Sequence, residues 1–258
     1  MARRSGRGIL AMVARMRSLS VIMFAYNEQE NVGPCMLEAL SFLEQATDEY
    51  ELIVVDDGSS DDTAEAARAI ATRHPDHVQV LTYRPNRGIG GALKTGFAAA
   101  TKEWVTCLPA DGQVPPQELE KLFSAIESDS SLDLITCHFP DRFKEADNLL
   151  RKVLSRGLRV ILWAATGVDR KMDGVYLIPR EAAQNLPLQS ETFFLNLELP
   201  IRAIRSGLNP GETTMHIRPR MAGTSKVLNF GRMRRVFSET VRLGWELRGP
   251  GGSRGEGK

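Results

Sequence analysis

Two adjacent carboxylates, Asp56 and Asp57, follow the apolar pair Val54-Val55 and precede Gly58-Ser59-Ser60. This pattern predicts a strand that ends in a turn, with Asp61 or Asp62 capping a helix from about Thr63. Ligands of open α/β sheets bind at the C-terminal ends of the strands. Carboxylates placed there can accept hydrogen bonds from a ribose, a base or a metal-bound water. Gly88, Gly90 and Gly91 form a second candidate site. They permit close backbone approach just before a predicted helix, whose N-terminus favours an anion. A dinucleotide fingerprint is excluded, because the final glycine is absent at the required offset and no lone acidic residue ends a strand about 20 residues on. Arg151 and Ser155 are i and i+4, so on a helix they share one face. Guanidinium forks match phosphate oxygens in pairs.

The elements that must position these residues alternate strand and helix. Strands are predicted over 19–24, 52–55, 78–83, 104–108 and 132–137. The helices between them are predicted over 28–46, 63–72, 90–100 and 115–127. Repeated βα units imply a mainly parallel sheet covered on both faces. The second half reads differently, with long helices over 146–165, 191–206 and 229–248 and short strands over 174–178 and 213–218. No flexible linker separates the halves, so one continuous domain over 18–248 is expected. It divides into a first half, 18–138, and a second half, 139–248. Residues 1–17 read as a disordered or surface-binding basic arm, and 249–258 as a disordered tail.

Composition narrows the class. The 258 residues carry a net charge of +1, so no whole-chain field points to nucleic acid. The three cysteines, Cys35, Cys107 and Cys137, are isolated in apolar patterns, which argues against a metal site and fits a reducing, cytoplasmic setting. No run is long and apolar enough to span a membrane. Arginines lace the apolar helices 146–165 and 229–248. Both helices therefore suit an anionic membrane surface, with Trp163, Phe237 and Trp245 as interface anchors. Attachment is expected to be peripheral or through a membrane partner subunit. His74, His77, His138 and His216 show no ligand spacing and receive no catalytic role.

Four segments in order, taken together, resemble the family 2 glycosyltransferases of the GT-A fold. They are Phe24-Ala25-Tyr26-Asn27-Glu28, the Val54–Thr63 segment, Asn86-Arg87-Gly88-Ile89-Gly90-Gly91-Ala92, and Pro109-Ala110-Asp111-Gly112-Gln113-Val114-Pro115-Pro116. Two more look like motifs of the dolichyl- and polyprenyl-phosphate sugar synthases. These are Arg151-Lys152-Val153-Leu154-Ser155-Arg156-Gly157 and Arg220-Met221-Ala222-Gly223-Thr224-Ser225-Lys226. The resemblance implies an inverting transferase that moves a sugar from a UDP- or GDP-sugar to a polyprenyl phosphate. Ala25, Tyr26, Glu28, Asp56, Asp57, Gly88, Gly90 and Asp111 would bind the donor. Tyr26 would pack on the base, and Glu28 or Asp57 would accept from base or ribose.

Asp111, with Gln113 and the nearby Asp57, would hold Mg²⁺ or Mn²⁺, a Lewis acid for the diphosphate leaving group. Here the chain departs from the family's paired aspartates, because the first is Pro109. Arg142, Arg151, Ser155, Arg220 and Lys226 would clamp the acceptor phosphate. Such an acceptor is already an anionic nucleophile and needs no strong general base. Asp111, Arg151, Ser155 and Arg220 are the residues expected to carry the reaction. Two other readings stay open. One is transfer to a hydroxyl acceptor, with Asp173 or Glu198 as base. The other is a catalytically idle partner subunit, motivated by the missing aspartate.

Overall fold

The computed structural model describes residues 16–140, 160–169, 172–220 and 230–248. Strands β1 (Met16–Ala25), β2 (Thr47–Asp56), β3 (Val78–Thr82) and β4 (Trp104–Pro109) alternate with helices α1 (Val32–Ala46), α2 (Thr63–Ala71) and α3 (Ile89–Ala99). A 3₁₀ turn and α4 (Glu120–Ser128) lead to β5 (Leu134–His138). The helical stretch 160–166 is α5. Then follow β6 (Tyr176–Pro179), α6 (Arg180–Asn185), α7 (Leu195–Arg205), β7 (Pro210–Thr214) and α8 (Phe230–Arg248). The seven strands form one sheet in the order β3-β2-β1-β4-β6-β5-β7. It is parallel except at β6, which runs antiparallel to both β4 and β5.

Alternation along the strands builds a core on each face. Leu19, Val21 and Met23 of β1, with Leu52 and Val54 of β2, pack toward α1, α2 and α4. Ile22, Ile53 and Val55 pack on the opposite face against α3, α6 and α7. The central strands are therefore buried on both sides, which explains their continuous apolar runs. A third, smaller cluster joins Leu162, Val168, Phe194, Ile201 and Leu243, and so seats α5 and α8 against α7.

The topology fixes where a ligand crevice must lie. From β1 the chain winds outward through β2 and β3, then returns to place β4 on the other side of β1. Such a reversal leaves a crevice at the strands' carboxyl ends. Here it opens between Ala25 of β1 and Pro109 of β4, where Phe24 is in register with Pro109.

Most predicted elements recur, with shifted ends. β1 begins at Met16, so Met16 and Arg17 are strand residues rather than part of the arm. α1 starts at Val32 rather than at residue 28, after a turn in which Glu28 O accepts from Asn31 and Val32 N–H. α7 starts at Leu195 rather than 191. β7 spans Pro210–Thr214 rather than 213–218, and α6 was not anticipated. Residues 1–15, most of the helix expected over 146–165, and the tail 249–258 lie outside the described residues.

Candidate active site at the carboxyl ends of β1, β2 and β4

Two strand-end loops are stitched together before any ligand is considered. The loop after β1 turns at Asn27, whose φ is 54°. Its N–H donates to Ser59 Oγ at 2.9 Å, and its Oδ1 accepts from Ser60 N–H at 2.8 Å. Glu28 N–H donates to Thr63 Oγ1 at 2.8 Å. Asp61 accepts the Thr63 N–H at 3.1 Å, whereas Asp62 makes no capping bond from its side chain. Of the two expected caps, Asp61 is the one used.

Asp57 is the hub of this assembly. Its carboxylate accepts from Tyr83 Oη, Arg87 N–H and Asn86 Nδ2, each at 2.8 Å, and it is 4% exposed. A carboxylate offers about four acceptor positions, so roughly one is left for a ligand. Burial and the hydrogen bond to Asp57 raise the Tyr83 phenol well above its ordinary range, which keeps it a donor. Asp56 turns to the other side, where its Oδ1 accepts the Ser59 N–H. There it lines a cavity of about 300 Å³ with Asp61, Arg68, Tyr83 and Arg84. Tyr26, just after β1, is 43% exposed. Ala25 is buried beside it, and its carbonyl accepts the Asp57 N–H at 2.9 Å.

Asp111 stands across the crevice, on the loop after β4. Its Oδ1 accepts the Gln113 N–H at 3.0 Å, and its Oδ2 lies 2.9 Å from Arg220 Nη2. Arg220 Nη1 lies 3.4 Å from Glu28 Oε1, and Glu28 Oε2 accepts from Asn31 Nδ2 at 2.6 Å. One guanidinium thus bridges the β1 and β4 loops. Its approach is fixed by Arg218, two residues earlier. Arg218 forks onto Glu38 at 3.1 and 2.5 Å, donates Nε to Gly112 O at 2.7 Å, and gives its backbone N–H to Gln113 O. Cys35, beneath this loop, donates to Ala110 O, and burial pushes its thiol up to about 12, so it is no nucleophile at neutral pH.

Ala25, Tyr26, Glu28, Asp57, Asp111 and Gln113 all lie at or just after the carboxyl ends of β1, β2 and β4. Arg220 joins them beside Glu28 and Asp111. The space left by Gly88 and Gly90 is filled by protein. A Cβ on Gly88 would meet Glu191 O at 2.5 Å, and one on Gly90 would meet Ser190 O at 2.6 Å. The Gly90 N–H already donates to Glu191 O. Arg142, Arg151, Ser155 and Lys226 lie outside the described residues.

Glu198 is 1% exposed and accepts from Gln189 N–H, Ser190 N–H and Arg202 Nε, so it is a structural ion pair with no access for a base's work. Glu212 is exposed on the edge strand β7. The reading missed a contact between His138 and Asp173, whose Nδ1 and Oδ2 lie 2.9 Å apart. It also missed Tyr83, Asn86, Glu38 and Arg218 as holders of the site. Asn86 and Arg87 were part of a recognised segment, but only their glycine neighbours were assigned.

Among the described residues no group of three or more His, Cys, Asp or Glu side chains could hold a metal ion. On the loop after β4 the side-chain oxygen donors in the sequence are the Asp111 carboxylate and the Gln113 amide. They suit a cation that brings its other ligands as diphosphate oxygens and water, the usual manner of Mg²⁺. Also among the described residues, no helix is long and apolar enough to cross a membrane.

Residues 20–194 match the family model described as glycosyl transferase family 2. An undecaprenyl-phosphate 4-deoxy-4-formamido-L-arabinose transferase from Photorhabdus laumondii is 34% identical over 153 residues, 59% of this chain and 46% of that protein. A dolichyl-phosphate beta-glucosyltransferase from Homo sapiens is 30% identical over 200 residues, 71% of this chain and 62% of that protein. The chain therefore spans about half the length of the curated relatives it matches. Among solved structures, glucosyl-3-phosphoglycerate synthase from Mycobacterium tuberculosis, in complex with Mn²⁺, UDP-glucose and phosphoglyceric acid, superposes with a TM-score of 0.68. The two are 21% identical, and the match covers 96% of this chain and 88% of that one. The same enzyme in complex with Mg²⁺ and UDP superposes with a TM-score of 0.64. These neighbours confirm the expected GT-A fold, and the extent of the family match settles the wider question: this chain belongs to glycosyl transferase family 2.

Proposed function

We propose that the chain is an inverting transferase that moves a sugar from a UDP- or GDP-sugar to a polyprenyl phosphate at the cytoplasmic face of a membrane. The observation that carries this reading is the crevice between β1 and β4, where Glu28, Asp111 and Arg220 converge beside the buried hub Asp57. Relatives that act on undecaprenyl and dolichyl phosphate support the acceptor class. Tyr26 packs on the base, while Glu28 and Asp57 accept from base or ribose. Asp56 contributes from the neighbouring cavity. Gly88 and Gly90 serve by holding the 190–191 backbone against the start of α3, which braces the donor side.

An oxygen of the acceptor phosphate attacks the sugar's C1 from the face opposite the diphosphate. The C1–O bond to the diphosphate breaks, and its electron pair stays on the leaving oxygen. No proton need be removed from the acceptor. Asp111 and Gln113 would hold a divalent cation, Mg²⁺ or Mn²⁺, which would supply Lewis acidity to the diphosphate leaving group. Arg142, Arg151, Ser155 and Lys226 hold the acceptor phosphate, with Arg220 at the junction of the two sites. The exposed Phe237, Val241 and Trp245 of α8, with Trp163 of α5, form an apolar face that docks on lipid. Arg235 and Arg242 stand beside it for anionic headgroups.

A hydroxyl acceptor is the second reading, and the His138–Asp173 pair favours it. An imidazole oriented by a carboxylate is a familiar general base. Incubation with radiolabelled UDP- and GDP-sugars and a mixture of undecaprenyl and dolichyl phosphates decides between them. An organic-extractable, labelled product supports the lipid-phosphate reading and names the donor. Nucleotide release with label only in water-soluble products moves the assignment to a hydroxyl acceptor.

A further inference from the structure

We infer that Arg220 is an exchangeable occupant of the metal position: it neutralises Asp111 while the site is free of nucleotide, and passes to the diphosphate when the nucleotide and its cation arrive. This rests on the reading that the crevice takes a nucleoside diphosphate. Pro109 offers no side-chain donor where the chain would need a second carboxylate. Asp111 therefore stands alone on its loop, and its Oδ2 is the oxygen turned to Arg220 at 2.9 Å. A cation reaching Asp111 must share or take that oxygen. Guanidinium and metal both seek the same carboxylate oxygen, so they compete for it.

Three features show where Arg220 would go. Its Nε is buried and has no hydrogen-bond partner among the described residues, so one N–H already wants an acceptor. Its second contact, to Glu28 at 3.4 Å, is longer than a good charge-assisted hydrogen bond. Arg218 pins the backbone just before it, so the guanidinium can swing without moving the chain. The local charge also requires an exchange. Glu28, Asp57 and Asp111 against the one guanidinium of Arg220 leave the crevice net negative, which opposes a bare diphosphate. A divalent cation on Asp111 offsets that charge and frees the guanidinium for the phosphate oxygens. Metal and nucleotide should then bind together strongly and separately weakly.

The test uses the full chain and reads binding, not sugar transfer. Mn²⁺ is titrated by electron paramagnetic resonance without nucleotide, and UDP or GDP by calorimetry with Mn²⁺ saturating. Removing the competitor in Arg220→Gln should tighten Mn²⁺ binding and weaken nucleotide binding, each by roughly 10- to 100-fold, the worth of a hydrogen bond to a charged group. Arg220→Lys keeps the charge and should lie near wild type in both. Unchanged or weaker Mn²⁺ binding in Arg220→Gln overturns the exchange, as does unchanged nucleotide binding. If Arg220→Gln does not fold, the lysine variant decides. Mn²⁺ and nucleotide that bind the wild type and that variant independently, neither improving the other, also overturn it. A wild type that binds neither UDP nor GDP with Mn²⁺ overturns the donor-site reading itself, which separates the two failures.

Discussion

The two halves of the chain use buried carboxylates for opposite ends. In the first half Asp57 sits at a strand end, held by neutral donors from Tyr83, Asn86 and the Arg87 backbone, and faces a crevice. In the second half Glu198 sits inside α7, paired with Arg202, which in turn meets Glu246 of α8 at 2.6 Å. Glu239 of α8 accepts from Ser190 and Thr192 in the loop that presses on Gly88 and Gly90. The first arrangement leaves acceptor capacity at a surface where a ligand can arrive. The second consumes all of it to bind helices together. A buried carboxylate is thus a site candidate only when its partners leave something over, and sequence alone does not reveal that.

The largest effect expected from this contrast is at Glu198. Glu198→Ala leaves the buried Arg202 half-paired and two backbone N–H groups without acceptors, and should cost about 3–5 kcal/mol of stability. Urea denaturation measures it, and a loss below about 1 kcal/mol would remove Glu198 from the structural side of the comparison. Asp57→Ala should cost less, about 1.5–3 kcal/mol, as hydrogen bonds to one charged group are lost. It should also weaken UDP or GDP binding. A variant that loses stability but binds nucleotide as before would make Asp57 structural too, and dissolve the contrast. Trp245, 80% exposed, should matter least to the fold. Trp245→Ala should change stability by no more than about 0.5 kcal/mol while reducing co-sedimentation with anionic vesicles. Unchanged vesicle binding would leave α8 without its proposed lipid face.

The same contrast governs what could be read from the sequence. The first-half strands were legible because they are buried on both faces and bounded by turn residues, as at Val54–Gly58. The N-terminal ends of β1 and β2 were not, because Ser18, Glu49 and Glu51 look like loop residues. Paired in the sheet, they make local bonds instead, such as Ser20 Oγ to Glu51 at 2.6 Å. β7 was placed about four residues late because Pro210 and Gly211 argue against a strand. At the sheet's edge, pairing with β5 overrides that preference. The start of α7 was misplaced because Ser190 and Thr192 fold into side-chain-bonded turns whose partners come from α8, far away in sequence.

In the site, Asp57 stood out as a carboxylate at a strand end, and Glu28 and Asp111 through the family resemblance. Tyr83 and Asn86, which hold Asp57, and Glu38, which holds Arg218, become visible only once the loops meet. Arg220 was legible as a phosphate-type arginine, but its contact with Asp111 depends on a long-range crossing of the segment after β7. His138 was discounted because its partner Asp173 lies 35 positions away, and no local spacing links the two.

The most direct test of the proposed function offers the chain two acceptors of equal chain length, a polyprenyl phosphate and the matching polyprenol, with the same labelled sugar nucleotide. Transfer to a phosphate nucleophile predicts label in the phosphate-bearing lipid and none in the alcohol. Label in the alcohol at an equal or greater rate would contradict the account, and would place the chemistry at His138 and Asp173 instead.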